Sequence, residues 1–264
     1  MTVAALLGAL ALLAGCAGSV QTQRSERAAV AKAMFEERCK KAGVFIHRTV
    51  KDVEGILVMK QRPKEINYGE QFRMDDPYGR DSLGDGYIES FLRGSFQANS
   101  GGHQLPPGSP PRIGYKYVEA LDPSDGKRYR YTGRLEEPWQ TNKAFLRGYI
   151  RFVMDKTIAP GAPPRYGLTY DDTSTLKERQ YWIASSSLRV VDTLTHEVIA
   201  ERIGYMWDPS QGDRSGGRSP WLLATNHACP SFSRIPGEKP DGRSSFNQPR
   251  QAQDFVESVL IPVL

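Results

Sequence analysis

Apolar and polar residues alternate most regularly in two consecutive segments, residues 180–192 and 197–207. Successive side chains of a β-strand point to opposite faces, so this period of two predicts strands with one buried face. The apolar positions that share a face are Trp182, Ala184, Leu188 and Val190 in the first segment and Ile199, Ile203, Tyr205 and Trp207 in the second. The four residues between the segments, 193–196, supply a turn, and the pattern predicts a long antiparallel hairpin.

Shorter segments with the same character predict five further strands. They are residues 44–50, 55–61, 113–121, 127–131 and 145–154. The third and fourth of these are separated by a turn sequence that contains Pro and Gly, which predicts a second hairpin.

A period near 3.6 predicts a helix at each end of the folded chain. Residues 24–42 are rich in alanine, and Gly43 stands where a glycine commonly ends a helix. The face predicted to be buried comprises Val30, Ala33, Met34 and Glu37. Residues 250–260 carry one apolar stripe, formed by Ala252, Phe255, Val256 and Val259.

The order of these elements is helix, many strands, helix, without the strand–helix–strand alternation of a doubly wound parallel sheet. We therefore expect an α+β fold: a mostly antiparallel sheet or sandwich with the N-terminal and C-terminal helices packed on it. The 264 residues, 39% hydrophobic and 25% charged, have a globular composition. We expect residues 24–264 to form one domain.

The net charge of +5 modifies this picture little. Lys and Arg alternate with Asp and Glu along the whole chain, and the longest basic cluster is only Lys127, Arg128 and Arg130. Such a distribution is typical of a mixed, solvated surface, so we expect no nucleic-acid partner.

The N-terminus differs in character from the rest of the chain. Residues 3–14 are Ala, Leu and Gly apart from Val3, and no charged side chain appears before Arg24. Twelve apolar residues are too few to span a bilayer comfortably, but they suit the core of a signal peptide. The alternative is an apolar N-terminal helix that is buried in the fold.

The apolar run ends in Leu13-Ala14-Gly15-Cys16. This tetrad resembles the lipobox of bacterial lipoproteins. The resemblance implies that residues 1–15 are removed as a signal peptide and that the Cys16 thiol carries diacylglycerol. Residues 16–23 would then form a flexible tether. By the same resemblance, Ala17 in place of aspartate favours the outer membrane over the inner one.

Two of the three cysteines, Cys39 and Cys229, remain if Cys16 is acylated. The periplasm permits disulfides, so we predict a Cys39–Cys229 bridge. It would close a loop of about 190 residues, for which the loop-closure entropy gives roughly 5 kcal/mol. The alternatives are two buried free thiols, a catalytic cysteine, or a zinc site with His227 and His47 whose spacing resembles no known ligand pattern. We expect no metal and no cofactor.

The residue types of a nucleophilic triad occur on the long hairpin, as Ser187, Asp192 and His196. A hairpin places side chains in rows, so Ser187 and His196 could approach each other. Nothing in the sequence supplies an oxyanion hole, and common hydrolase motifs are missing. The alternative is a serine on a solvated strand and a histidine in a turn. We likewise expect His47 to be a partly buried core histidine.

Tyrosines and arginines alternate on the central strands. Because both residue types are enriched at protein-binding hot spots, one prediction is an interface formed by Tyr115, Tyr117, Arg147, Tyr149 and Arg151. The alternative is an ordinary amphipathic sheet whose tyrosines fill the core.

Taken together, the sequence favours a lipid-anchored periplasmic domain that is not an enzyme and that binds another protein of the envelope or an incoming protein. An immunity-type lipoprotein that neutralises a toxin is one form of this hypothesis, by analogy alone. The rival hypotheses are a periplasmic hydrolase that uses Ser187 or His196 and a purely structural envelope lipoprotein.

Overall fold

Strands dominate the fold, and helices lie before and after them. The computed structural model describes residues 22–64, 71–72, 78, 84–95, 104–105, 108, 110, 112–137, 147–221, 224–232 and 248–264. The helices are α1 (22–39), α2 (Asp85–Glu89), α3 (Leu176–Gln180) and α4 (Gln251–Val259). The strands are β1 (Gly43–Ile46), β2 (Val50–Val53), β3 (Gly55–Val58), β4 (Gln104–Leu105), β5 (Tyr117–Leu121), β6 (Arg128–Glu136), β7 (Ile150–Ile158), β8 (Tyr166–Asp172), β9 (Ile183–Asp192), β10 (Glu197–Trp207), β11 (Ala228–Cys229) and β12 (Leu260–Pro262).

One large sheet organises these strands in the order β1-β10-β9-β8-β3-β5-β6-β7-β4, and β11 also pairs with β10. Most neighbours are antiparallel, while β3 runs parallel to both β5 and β8. A separate parallel pair joins β2 to β12. The predicted α+β class, with a mostly antiparallel sheet and a helix at each end, is confirmed.

The long hairpin is β9–β10, and its turn begins and ends where the alternation predicts, with Asp192 opposite Glu197. A register shift between Val198 and Ala200 places an extra residue in β10. Because of the extra residue, each later side chain of β10 points to the opposite face of the sheet from the one that it would otherwise occupy. Ile199 therefore belongs to the main core, whereas Trp207 packs toward α1. The expectation that these two residues share one face is wrong for this reason.

Helix α1 packs through a stripe that shares only Met34 with the predicted one. Ala31 is fully buried beside Ile183 and Trp207, and Met34 and Phe35 pack around them. Val30, which we expected to be buried, is 48% exposed. The two ends of this helix also depart from expectation: Thr22 and Gln23, expected in the tether, are helical, and Gly43, expected to end the helix, begins β1. Arg38 pairs with the buried Glu178 of α3.

The C-terminal helix α4 packs as predicted. Its stripe of Ala252, Phe255, Val256 and Val259 is buried in the main core. Helix α2 reaches the same core through Tyr87 and Ile88. Strand β7 begins later than expected and continues to Ile158. The structure contains no described helix long and apolar enough to cross a membrane.

A buried ion pair lies where β8 meets α3. The Arg179 side chain is 0% exposed and pairs with the 4% exposed carboxylate of Asp172, while its guanidinium lies 5.5 Å from the Trp221 ring centroid. Within the described chain, Nε and Nη1 of Arg179 have no hydrogen-bond partner. The Asp172 carboxylate is therefore the group that compensates this buried charge.

We expect Asp172→Asn to lower the free energy of unfolding by about 3–5 kcal/mol, because it leaves a buried guanidinium without its counter-charge. Removing both charges in D172N/R179M should restore most of that loss, since a neutral pair carries no uncompensated charge. Urea denaturation of the two variants measures both values. A double variant as unstable as the single one would show that the effect comes from packing.

A candidate interaction site at the sheet edge

The hairpin does not bring the triad residues together. Ser187 lies opposite Ile203, five residues before Asp192, which corresponds to roughly 17 Å along the strand. Its hydroxyl donates to Glu201 Oε1 at 2.5 Å. Asp192 lies at the turn and accepts from Arg165 Nε at 3.0 Å, and this bond contributes most to holding the pKa of Asp192 below its ordinary value. His196 is exposed in the turn with φ 60°.

Most side chains of the predicted tyrosine and arginine interface contact other residues of the chain and are not free to bind a partner. Tyr115 is wrong as an interface residue because it is fully buried and its hydroxyl donates to the Leu260 carbonyl at 2.6 Å. The Tyr117 ring lies over Gly55, where a Cβ atom would come within 2.3 Å of it. The Arg130 guanidinium covers the same ring at 4.0 Å from its centroid.

The remaining residues of this predicted interface offer little more. Tyr149 is half-buried, and Arg147 is exposed. Arg151 donates to the Glu136 carboxylate and is half-buried. A surface whose arginine is held by a neighbouring carboxylate has little free charge to offer a ligand.

Other arginines on the central strands are likewise paired with carboxylates of the same chain. Arg130 Nη2 donates to the fully buried Glu119 carboxylate at 2.8 Å, and Arg128 Nε lies 2.9 Å from the other oxygen of that carboxylate. Arg134 Nε lies 2.8 Å from Asp155. These arginines therefore stabilise the sheet through cross-strand pairs.

A different surface is formed where the chain leaves α1. Strand β1 pairs antiparallel with β10, with Gly43 opposite Ile203 and Ile46 opposite Ala200. Strand β11 pairs with the same side of β10 further along, with Cys229 opposite Tyr205. Strands β11 and β1 thus lie end to end and run in the same direction. Together they form one composite edge strand.

A disulfide bond links the composite edge strand to α1, close to the point where β11 and β1 meet. Cys39 at the end of α1 is bonded to Cys229 in β11, as predicted, across a sequence separation of 190 residues. The bridge therefore ties the segment that leads into β1 to the strand that precedes β1 along the edge. It also excludes the free-thiol and zinc alternatives for these two cysteines.

The outer residues of β1 are apolar and open to solvent. Val44 is 48% exposed, Phe45 44% and Ile46 43%. We call these three residues the β1 edge. In the described part of the chain, β10 is the only strand that pairs with β1. An edge strand of this kind presents unpaired backbone N–H and C=O groups beside exposed apolar side chains, which is a template for a further strand.

The opposite end of the sheet lacks this character. Strand β4 covers the start of β7 at Ile150 and Arg151. Further along, β7 carries Asp155 and Lys156, which are bound to Arg134 and Asp122 respectively. Charged residues on an edge strand discourage pairing with another chain. The two ends of the sheet therefore differ, and among the described residues only the β1 end combines an open edge with three consecutive exposed apolar residues.

The histidines that the structure describes form no catalytic arrangement. His47, expected to be partly buried, is exposed just after the β1 edge. The His227 ring contacts Trp207, with 5.7 Å between centroids, and partial burial lowers the pKa of His227 below its ordinary value. No group of three or more potential metal ligands occurs among the described residues.

The strand prediction for residues 44–50 assumed alternation along the whole segment, but residues 44–46 form an unbroken apolar run. A strand with one solvated face should alternate, so this run was the one signal in the sequence for the β1 edge. Its place at the end of the sheet depends on strand order, which a local pattern does not encode.

Comparison of the chain with protein-family models, with curated proteins and with solved structures finds no match.

Proposed function

We propose that this chain is a lipid-anchored protein of the bacterial envelope that binds a segment of another protein as an added strand at the β1 edge. The observation that carries the proposal is the run of three consecutive exposed apolar residues on a terminal strand of the sheet. Main-chain hydrogen bonds would supply the affinity for such a segment, and alternate side chains would supply the specificity.

The anchoring half of the proposal rests on the sequence, because Cys16 and the apolar run before it lie outside the described residues. The Cys39–Cys229 disulfide supports an oxidising compartment, where such bonds form and persist. The absence of an assembled Ser187–His196 pair favours a binding protein over the hydrolase hypothesis.

The charges that flank the β1 edge favour a partner segment with an acidic end. Lys40 and Lys41 precede the strand; Lys40 pairs with Glu37, whereas Lys41 is exposed and forms no ion pair with any described residue. Arg48 follows the strand and pairs with Glu197 and Asp192. Lys41 therefore supplies the charge that remains for a partner, and a segment with an apolar centre and an acidic residue opposite Lys41 complements this edge.

A photo-crosslinking amino acid at position 45 tests the surface directly in cells that express the full chain. We expect one discrete cross-linked species with another envelope protein. The matched control is the same amino acid at position 158, because Ile158 is 68% exposed on β7 near the opposite end of the sheet. That position should give little or no discrete product.

Phe45→Asp in a chain that carries the cross-linker at position 44 should reduce the product about thirtyfold, as expected when a hot-spot residue worth about 2 kcal/mol is lost. Ile158→Asp should leave it unchanged. Both substitutions are at exposed sites, so thermal unfolding should confirm that each variant is folded. Equal products at positions 45 and 158, a homodimer at position 45, or full retention with F45D would each overturn the proposed interface.

A further inference from the structure

The hydrogen bonds between β1 and β10 show which backbone groups of β1 are already used. In an antiparallel pair, residues that bond the neighbouring strand alternate with residues whose N–H and C=O groups point away from it. The His47 N–H donates to the Ile199 carbonyl at 3.0 Å, in the same register that places Phe45 opposite Glu201. Gly43, Phe45 and His47 are therefore the residues of this segment whose backbone faces β10.

The bonds on the other side of β10 lead to the same assignment. The Asp208 N–H donates to the Trp182 carbonyl at 2.9 Å, in the same register that places Arg202 opposite Leu188. Asp208 and Arg202 are an even number of residues apart, so the backbone of Arg202 also faces β9. Arg202 therefore does not bond Val44, which lies opposite it in β1.

The N–H and C=O groups of Val44 and Ile46 consequently point to the open side of β1. Among the described residues, no hydrogen bond reaches these groups. Each of the two residues offers one donor and one acceptor, so the open side presents four backbone groups. Residues two apart on a strand are separated by about 7 Å, which is the spacing between bonding residues of an added strand.

This row of open groups ends on both sides. Continued alternation would direct the N–H of Arg48 outward, but it donates to the Ile199 carbonyl at 3.2 Å. On the other side, β11 ends at Cys229, and the next residue, Pro230, has no N–H to donate. Short edges and prolines limit pairing with another chain. The continuous part of the edge is therefore residues 44–46.

The side chains of this short edge define what a bound segment needs. Val44 and Ile46 lie opposite the buried residues Arg202 and Ala200, whereas Phe45 points to the other face of the sheet. Neighbouring side chains on adjacent strands share a face and contact each other. A bound residue beside Val44 and another beside Ile46 therefore both meet an exposed apolar side chain.

We infer that the β1 edge binds its partner through two rungs only, at Val44 and Ile46, where a rung is one residue whose N–H and C=O both bond the added strand. The recognised element is a short extended segment, of about three to five residues, with apolar side chains at two alternate positions. This inference rests on the proposed function, which assigns the partner to the β1 edge.

Amide hydrogen exchange tests the open groups without any partner. It is read residue by residue by NMR in the detergent-purified full chain. After correction for intrinsic rates, the Val44 and Ile46 amides should exchange at least about tenfold faster than those of Phe45 and His47, which bond β10. Equal protection of all four amides would overturn the inference.

Proline substitution tests the rungs in cells that carry the cross-linking amino acid at position 45. Ile46→Pro removes the outward N–H but leaves the bonds of Phe45 and His47 to β10, and an edge strand tolerates such a proline. Ile46→Ala is the matched variant, because it loses the side chain but keeps the N–H. I46P should give about tenfold less product than I46A, since a backbone hydrogen bond is lost and the ring obstructs the added strand.

Ile158→Pro is the control at the opposite end of the sheet. The Ala159 N–H donates to the Arg128 carbonyl at 3.0 Å, in the register that places Ile158 opposite Tyr129. The N–H of Ile158 therefore points away from β6, as that of Ile46 points away from β10. I158P should leave the product unchanged. Thermal unfolding checks that each variant is folded, and V44P with V44A repeats the comparison at the other rung.

Equal products from the proline and alanine variants at both rungs would overturn the inference while leaving an interface at position 45. Absence of product in the parent chain would overturn the proposed function and this inference with it. The two failures are therefore distinguished by whether the parent chain gives a cross-linked species.

Discussion

Wild-type protein isolated from the cells that produce it is expected to begin at Cys16 and to carry covalent lipid there. The Cys16→Ser protein is expected to carry none and to retain residues 1–15. The reason is chemical. The thiol is the group that would form the thioether to diacylglycerol, and the hydroxyl of serine is a much poorer nucleophile at neutral pH. Acyl chains stabilise membrane attachment by about 0.8 kcal/mol for each buried CH₂ group, so several chains give effectively permanent anchoring.

Two measurements establish this result: incorporation of radiolabelled palmitate and the mass of the N-terminal peptide. Cys39→Ser is the matched control, because it changes a cysteine of the same chain that the proposal assigns to the disulfide. It should keep the label in full. A wild-type chain with an unacylated N-terminus, or a C16S chain that still incorporates palmitate, would contradict the anchor proposal.

The elements that sequence predicted well are those whose pattern is local. The β9–β10 hairpin has an alternation of apolar residues and a turn that are both complete within one segment, and α4 has one unambiguous stripe. The bulge between Val198 and Ala200 was not predictable, because an extra residue in β10 is defined only against its partner strand. That one residue decides whether Ile199 faces the main core.

Helix α1 shows why composition can hide a buried face. Alanine at positions 28, 29, 31 and 33 makes a helix favourable but leaves the apolar stripe undefined. The side that packs is set by distant residues, Ile183 and Trp207, together with the pairing of Arg38 with Glu178.

Predicting the candidate site from the sequence was harder still, because the site depends on the order of the strands in the sheet. One strand was predicted for residues 44–50, whereas β1 ends at Ile46 and β2 begins at Val50, and only the strand order places β1 at the end of the sheet. The predicted interface around Tyr115 and Arg151 failed for the complementary reason. Residue type alone does not reveal that Tyr115 is buried or that Arg151 is held by Glu136.

The second large effect concerns the disulfide. Replacing both Cys39 and Cys229 with serine is expected to lower the free energy of unfolding by up to about 5 kcal/mol. A cross-link that closes a loop of 190 residues removes a large conformational entropy from the unfolded chain, and the loss of that constraint gives this value. Urea denaturation of the oxidised wild type and of C39S/C229S measures it.

Reduction of the wild type supplies the internal control. Both cysteines are half-buried, so a thiol reductant should reach them. Wild-type protein in reductant should unfold at the same urea concentration as C39S/C229S, and the variant itself should be unaffected by reductant. A difference of less than 1 kcal/mol between oxidised and reduced wild type would show that the bridge does not constrain the unfolded chain.

The same variant connects stability to the proposed site. Because β11 and β1 lie end to end on β10 and the bridge ties β11 to the segment that leads into β1, its loss should loosen the edge before it loosens the interior of the sheet. Amide hydrogen exchange in β1 should therefore accelerate more than exchange in β9, which lies between β8 and β10. Cross-linking at position 45 should fall in C39S/C229S even at temperatures where the sheet remains folded. Uniform acceleration across β1 and β9 would mean that the bridge stabilises the fold as a whole and does not hold the β1 edge in place for a partner.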